Sequence, residues 1–218
     1  MLTAKLERPD KSTLNILCLG AHSDDIEIGC GGTILKLLEE SRELVVYWVV
    51  FSAKGARKRE ALASAKTMLK RAKKSDVVIG NFRDGYFPYA GSRIKDAFES
   101  LKKSFAPDLI FAPRRSDLHQ DHRLVSELTW NTFRNHMILE YEITKYDGDL
   151  ASPNVFVHLD EEICRIKVSH ITSHFKSQAG NHWFNEDVFL SLLRLRAVES
   201  NSPTGYAEAF HSRKMVLR

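Results

Sequence analysis

Short apolar runs alternate with helical stretches through most of this chain, and that alternation constrains its architecture more than any other feature. Residues 14–20, 44–51, 76–79 and 109–112 are strand-length and rich in Val, Ile, Leu and aromatic side chains. Runs of this kind suit strands buried on both faces of a parallel sheet. Between them, residues 31–41, 57–73 and 92–104 carry apolar residues at helical spacing, for example Ala61, Ala65, Met68 and Leu69. The β-α-β order predicts an α/β fold with a parallel sheet covered on both faces. Right-handed crossovers then bring the loop-bearing strand ends to one edge. Helices are further predicted over 123–135, from Asp160 onward and over 186–199, and strands over 137–146, 154–159 and 214–217. No repeat, low-complexity tract or linker interrupts the chain, so residues 1–218 are expected to form one domain.

Two polar clusters fall at the ends of the first and fourth predicted strands. The first is His22-Ser23-Asp24-Asp25, directly after Gly20-Ala21; the second is His119-Gln120-Asp121-His122. Ligands of α/β sheets bind outside the carboxyl ends of the strands. A catalytic zinc takes three protein ligands and keeps a further position open. His22, Asp25 and His122 make such a set, and a His-Asp-His site suits Fe2+ or Co2+ as well as Zn2+. Asp24, beside Asp25, is the natural general base. His119, three residues before His122, is placed to stabilise an oxyanion as an imidazolium. Asp121 is expected to hold His119 in that protonated state. Taken singly, each cluster has an ordinary reading as a turn or a helix cap; their joint occurrence at two strand ends favours the metal. The stretch Gly29-Cys30-Gly31-Gly32 lacks GxGxxG spacing, which argues against a dinucleotide site.

Composition excludes several alternatives. A chain of 218 residues with 43% hydrophobic content can bury its own core. No apolar run reaches the length of a membrane span, and residues 1–12 lack the apolar core of a signal peptide. Cys18, Cys30 and Cys164 are scattered, without CxxC, and read as free thiols of a cytoplasmic protein. A net charge of +4, with no basic stripe interleaved with aromatics, does not predict nucleic-acid binding. The basic cluster Lys54, Arg57, Lys58 and Arg59 reads first as a solvated helix start. Oligomeric state is not legible.

The motifs resemble those of the PIG-L/LmbE-like zinc-dependent N-deacetylases. Ala21-His22-Ser23-Asp24-Asp25 is similar to that family's AHPDD(E) motif, and His119-Gln120-Asp121-His122 to its HxDH motif. Arg59-Glu60, Asp84-Gly85, the His174 to Gln178 region and Tyr206-Ala207-Glu208-Ala209-Phe210 resemble supporting elements of the family. The resemblance implies a three-layer Rossmann-like sandwich with a mostly parallel sheet. It also implies hydrolysis of an N-acetyl group on a GlcNAc-type amino sugar or sugar conjugate, a small-molecule substrate, and the basic start of the second predicted helix favours one that bears a phosphate. Under it, His22, Asp25 and His122 hold the metal, Asp24 is the base, and His119 with Asp121 stabilises the oxyanion. Arg59, Asp84 and His174 would contact substrate. Two departures stand out: Ser23 replaces the usual Pro, and the carboxylate that follows the Asp pair is displaced to Glu27. The alternatives are a deacylase of another small N-acyl amine or glycosylated natural product, and a catalytically silent metal- or sugar-binding module.

Overall fold

The computed structural model describes residues 3–6, 13–41 and 43–216. Seven strands form one sheet: β1 (Leu14–Gly20), β2 (Leu44–Val50), β3 (Lys74–Ile79), β4 (Leu109–Pro113), β5 (Met137–Tyr141), β6 (Val155–His158) and β7 (Ala207–His211), in the order β3-β2-β1-β4-β5-β7-β6. The pairs from β3 through to β5 are parallel, and β7 runs antiparallel to both β5 and β6. Six helices accompany the sheet: α1 (Asp25–Glu40), α2 (Gly55–Met68), α3 (Gly91–Ser104), α4 (Gln120–Thr132), α5 (Glu161–His174) and α6 (Glu186–Ser200).

Strand alternation divides the core into two layers. Ile16 and Cys18 of β1 face the side that packs α1, α2, α5 and α6, through Ile34, Ala65, Ile171 and Phe189. Leu17 and Leu19 face the other side, with Ile94 and Phe98 of α3 and Val125 of α4. This is the α/β sandwich that the alternating pattern predicts.

Four boundaries differ from the sequence reading. The predicted strand at 214–217 is not formed over 214–216, and residue 217 lies outside the described residues. The last strand is instead 207–211, inserted between β5 and β6. Its Glu208 disguised it, because a carboxylate in a buried strand breaks the apolar pattern. Glu208 is paired with Lys167 at 2.6 Å, and it accepts from the Gly32 and Thr33 N–H groups of α1. Helix α1 begins at Asp25, six residues before the predicted start, and α4 begins at Gln120 rather than Arg123. The predicted strand 137–146 ends at Tyr141. The early starts carry functional weight, since they put Asp25 and His122 in first helical turns.

The strand order reverses between β1 and β4: the chain winds from β1 outward to β3, then returns to place β4 on the other side of β1. Both polar clusters follow these two neighbouring strands, which is the switch point where open α/β sheets bind ligands.

Candidate metal centre and active site

Two strand-to-helix turns converge at this switch point. His22 leaves the end of β1, Asp24 is the N-cap residue of α1 and Asp25 its first residue. His122 is the third residue of α4. The three expected ligands meet side chain to side chain. His22 Nδ1 lies 3.1 Å from His122 Nε2 and 3.6 Å from Asp25 Oδ2, and His122 Nε2 lies 3.4 Å from Asp25 Oδ2. Ligands at about 2.0–2.1 Å from a tetrahedral ion are separated by about 3.3–3.4 Å, so the donor set fits a divalent cation such as zinc. A second group of donors, Asp84 and Asp121, lies against the far nitrogen of His22, at 3.1 and 3.4 Å.

The electrostatics fit a site for positive charge. Burial works to depress the His22 imidazole, yet the Asp25 charge and bonds to Asp121, Asp25 and Asp84 carry it well above its usual range. His122, more deeply buried, is likewise depressed by burial, yet Asp25 and Asp117 carry it to about 9. Asp25 stays well below the carboxylate range despite burial, because both imidazoles face it. Protons on His22 and His122 thus balance carboxylates that a metal cation would balance in their place.

Asp24 behaves differently. It is buried, its side chain makes no cap bond to α1, and its Oδ2 has no hydrogen-bond partner among the described residues. Burial first, and then the neighbouring Asp25 charge, push it up to about 6. A capping role would have shown the helix N–H groups donating to Asp24; instead Oδ1 accepts only from Ser23 Oγ at 3.4 Å, and the buried, unpartnered Oδ2 beside the donor set is available to a proton.

The expected Asp121–His119 pairing is not made. Asp121 is fully buried, and its two oxygens accept from the N–H groups of Gly85 at 2.7 Å and Phe87 at 3.0 Å. His119 is the N-cap residue of α4, and its Nδ1 accepts from the Asp121 N–H at 3.2 Å. Burial and the charges of His122 and His22 lower its basicity. With Nδ1 accepting, the neutral ring carries its proton on Nε2, so His119 is a neutral donor rather than an imidazolium held by Asp121. Its ring sits 4.8 Å from His22 and 4.7 Å from His122, centroid to centroid.

The sequence reading missed Asp117. Its Oδ2 meets His122 Nδ1 at 3.0 Å and Lys145 Nζ at 3.1 Å, and its Oδ1 accepts from the His119 N–H at 2.8 Å. A metal-binding histidine usually gives its other nitrogen to a carboxylate, and that rule, applied to the loop before His119, would have singled out Asp117.

The three expected substrate contacts are placed unequally. Asp84, half-exposed, reaches His22 as described. Arg59 is exposed and makes no hydrogen bond or ion pair among the described residues. Arg57 instead approaches Asp84 Oδ2 at 3.3 Å, and its Nε lies 2.9 Å from the side-chain oxygen of Gln178 when that amide is turned to accept. Two residues, about 200° of rotation about the axis of α2, separate Arg57 from Arg59, and the apolar spacing alone did not tell which of them faces the site. His174 bonds the His170 carbonyl and lies 3.4 Å from Thr67 of α2, with no contact to the donor cluster. Gln178, from the same region, is the residue that reaches the site side.

Glu27 has a position of its own. It is fully buried, and Ser64 Oγ of α2 bonds it while lying 2.8 Å from His170 Nε2 of α5. Burial lifts Glu27 to about 8. The displaced carboxylate therefore ties the start of α1 to α2 and α5.

Comparison with known proteins shows what this chain is similar to. A family model described as PIG-L, GlcNAc-PI de-N-acetylase, matches residues 17–133, more than half of the chain. The uncharacterized deacetylase YaiS of Escherichia coli K12 is 25% identical over 172 residues, covering 73% of this chain and 89% of that protein. The diacetylchitobiose deacetylase of Thermococcus kodakarensis is 27% identical over 134 residues, 56% of this chain, and the match spans only 50% of that relative. Among solved structures, the N,N'-diacetylchitobiose deacetylase of Pyrococcus horikoshii superposes with a TM-score of 0.68 at 19 of every 20 residues of this chain (95%) and 86% of its own, at 23% identity, a likeness of fold.

Proposed function

The chain belongs to the PIG-L family, and from that premise we propose that it is a zinc-dependent hydrolase that removes an N-acetyl group from a GlcNAc-type amino sugar or sugar conjugate. The observation that carries the reading is the donor triangle of His22, Asp25 and His122, spaced 3.1, 3.4 and 3.6 Å beside a buried Asp24 whose Oδ2 has no partner among the described residues. Deacetylases among its relatives support the reaction class.

His22, Asp25 and His122 would hold the ion, with Asp117 fixing the His122 ring. A bound divalent cation supplies Lewis acidity, making water nucleophilic near neutral pH and polarising an amide carbonyl. Asp24 takes the proton of the attacking water and returns it to the departing amine; a carboxyl lifted to about 6 exchanges protons in both directions near neutrality. His119 donates from Nε2 to the oxyanion of the tetrahedral intermediate. Asp121 fixes the loop that carries Asp84 and bonds the His22 ring, so it positions both. Asp84 and Arg57 present a charged acceptor and donor to sugar hydroxyls. Residues 1–218 would form one catalytic domain. Three buried free thiols support a reducing, cytoplasmic setting, and among the described residues no helix is long and apolar enough to cross a membrane.

Acetate release from N-acetylglucosamine and its conjugates tests the reading, with Asp24→Ala as the control. The account predicts release by the wild-type chain and at least a hundredfold loss in the variant, within the range that acid–base groups contribute. A zinc-loaded wild type that releases no acyl group from a broad panel sinks it in favour of a silent binding module.

A further inference from the structure

Helix α4 starts at the donor triangle and ends at a second concavity. His122 stands in its first turn, Trp130 and Asn131 in its last. Eight residues at about 1.5 Å each put Trp130 about 12 Å along the helix axis from His122. Trp130 and Asn131 there line a cleft of about 420 Å³ together with Glu127, Arg115, Arg134 and Arg213. Ligand pockets span about 300–1,000 Å³, so the space suits a small molecule. Its walls come from three parts of the chain: the turn after β4, the end of α4 with the residues that follow, and the segment after β7.

One buried carboxylate organises these walls. Glu140 of β5 is 3% exposed. Its Oε1 accepts from the Trp130 indole N–H and pairs with Arg213 at 3.0 Å, and its Oε2 accepts from the Arg115 N–H at 2.9 Å. The Arg213 guanidinium also lies 4.1 Å from the centre of the Trp130 ring. Lys214 Nζ donates to the Arg134 carbonyl, which ties the segment after β7 to the end of α4. Lys95 of α3 donates to Asn131 Oδ1 at 2.7 Å. The walls are therefore set before a ligand arrives.

The charges of the cleft are not balanced. Glu140 neutralises Arg213. Arg115 and Arg134 are exposed, and neither makes an ion pair among the described residues. Against these two the cleft sets the Glu127 carboxylate, exposed and likewise outside any ion pair among the described residues. A guanidinium gives an oxyanion two parallel N–H bonds, a geometry that a halide cannot match. We propose that the cleft binds a small, multiply charged oxyanion, a phosphate or carboxylate compound, held by Arg115 and Arg134 at a place separate from the donor triangle.

Calorimetric titration with pyrophosphate and with citrate tests the site in wild type, Arg115→Ala/Arg134→Ala, Glu127→Gln and Arg57→Ala, at constant ionic strength so that screening is equal throughout. Saturable binding of either anion by wild type is expected, and the tighter of the two names the oxyanion. The double arginine variant is expected to bind at least about tenfold more weakly, a loss within what two charge-assisted contacts supply. Glu127→Gln is expected to bind about 2- to 5-fold more tightly, the size of an exposed charge contact; a gain of this kind cannot come from a damaged fold. Arg57→Ala, altered beside the donor triangle, is expected to bind as wild type does. No saturable binding of either anion by wild type overturns the site, as does undiminished affinity in the double variant. Affinity in Glu127→Gln no higher than in wild type would place the anion away from the cleft. A loss in Arg57→Ala equal to that of the double variant would put it at the donor cluster instead.

Discussion

Replacing Asp117 by Asn keeps the shape of the side chain and removes one acceptor. In the native arrangement Oδ2 serves both His122 Nδ1 and Lys145, at 3.0 and 3.1 Å, while Oδ1 serves the His119 N–H at 2.8 Å. All three partners are donors when His122 presents Nε2 to the ion. An amide has one acceptor oxygen, so its NH2 group must face either the His119 N–H or the His122 and Lys145 donors. Either choice leaves a buried donor against a donor, costing about 1–3 kcal/mol. Lys145 keeps Asp149 at 2.7 Å, so its own charge stays compensated. The strain therefore falls on the His122 ring and on the turn that carries His119. Outer-shell partners of metal histidines typically contribute about 10- to 100-fold in metal affinity or activity, or about 1.4–2.7 kcal/mol, in line with the buried-donor cost. Zinc affinity, measured by competition with a chromophoric chelator, is expected to fall by that factor, and kcat/KM for acetate release with it. An Asp117→Asn protein that binds zinc within twofold of wild type would show that Asp117 does not orient His122.

Other parts of the molecule yield sharper tests of packing and titration. Gly29→Ala places a Cβ against the Tyr141 ring, whose hydroxyl is anchored on the Leu19 carbonyl at 2.6 Å; a loss of about 1–3 kcal/mol in urea unfolding is expected, and a neutral result would mean that α1 can move off the sheet. Arg196→Met removes the guanidinium that meets both oxygens of buried Glu142, at 2.6 and 2.7 Å, and is expected to cost about 3–5 kcal/mol by leaving a buried carboxylate unpaired. His170 is held down to about 4, first by burial and then by the neighbouring His174. Because the unfolded chain binds that proton nearer pH 6.5, this residue's contribution to stability is flat above pH 6.5 and declines as pH falls from 6.5 toward 4. Denaturant unfolding of His170→Gln across that window should show a shallower decline than wild type; parallel curves would remove His170 as its source.

The strand and helix order was readable because buried parallel strands are apolar runs that need no tertiary context. The helix starts were not. Gly29, Gly31 and Gly32 look like helix breakers, whereas in α1 two of them are imposed by close approach: a Cβ at Gly29 would strike Tyr141, and one at Gly32 would lie 2.5 Å from Leu159 and 2.9 Å from Glu208. Strand β7 was hidden for a related reason. Glu208 meets the Gly32 N–H while its partner Lys167 donates to the Ile28 carbonyl, so an ion pair serves both ends of one helical turn from 139 and 176 residues away. No local pattern encodes such a contact. At the site, the residue types and their two clusters were legible, since His and Asp at strand ends carry their chemistry on their face. Which carboxylate serves which imidazole was not: Asp121 turned toward a loop backbone and the His22 ring, and Asp117 took the His122 ring.

The central claim is that one ion, held by His22, Asp25 and His122, makes this chain a deacetylase. Titrating Zn2+ into chelator-stripped protein while following acetate release from an N-acetylglucosamine conjugate tests it most directly. The account predicts no release before addition, a rise that saturates at one equivalent per chain, and no recovery in His122→Ala at the same zinc concentration. Full activity in the stripped protein, or full recovery in His122→Ala, would contradict it.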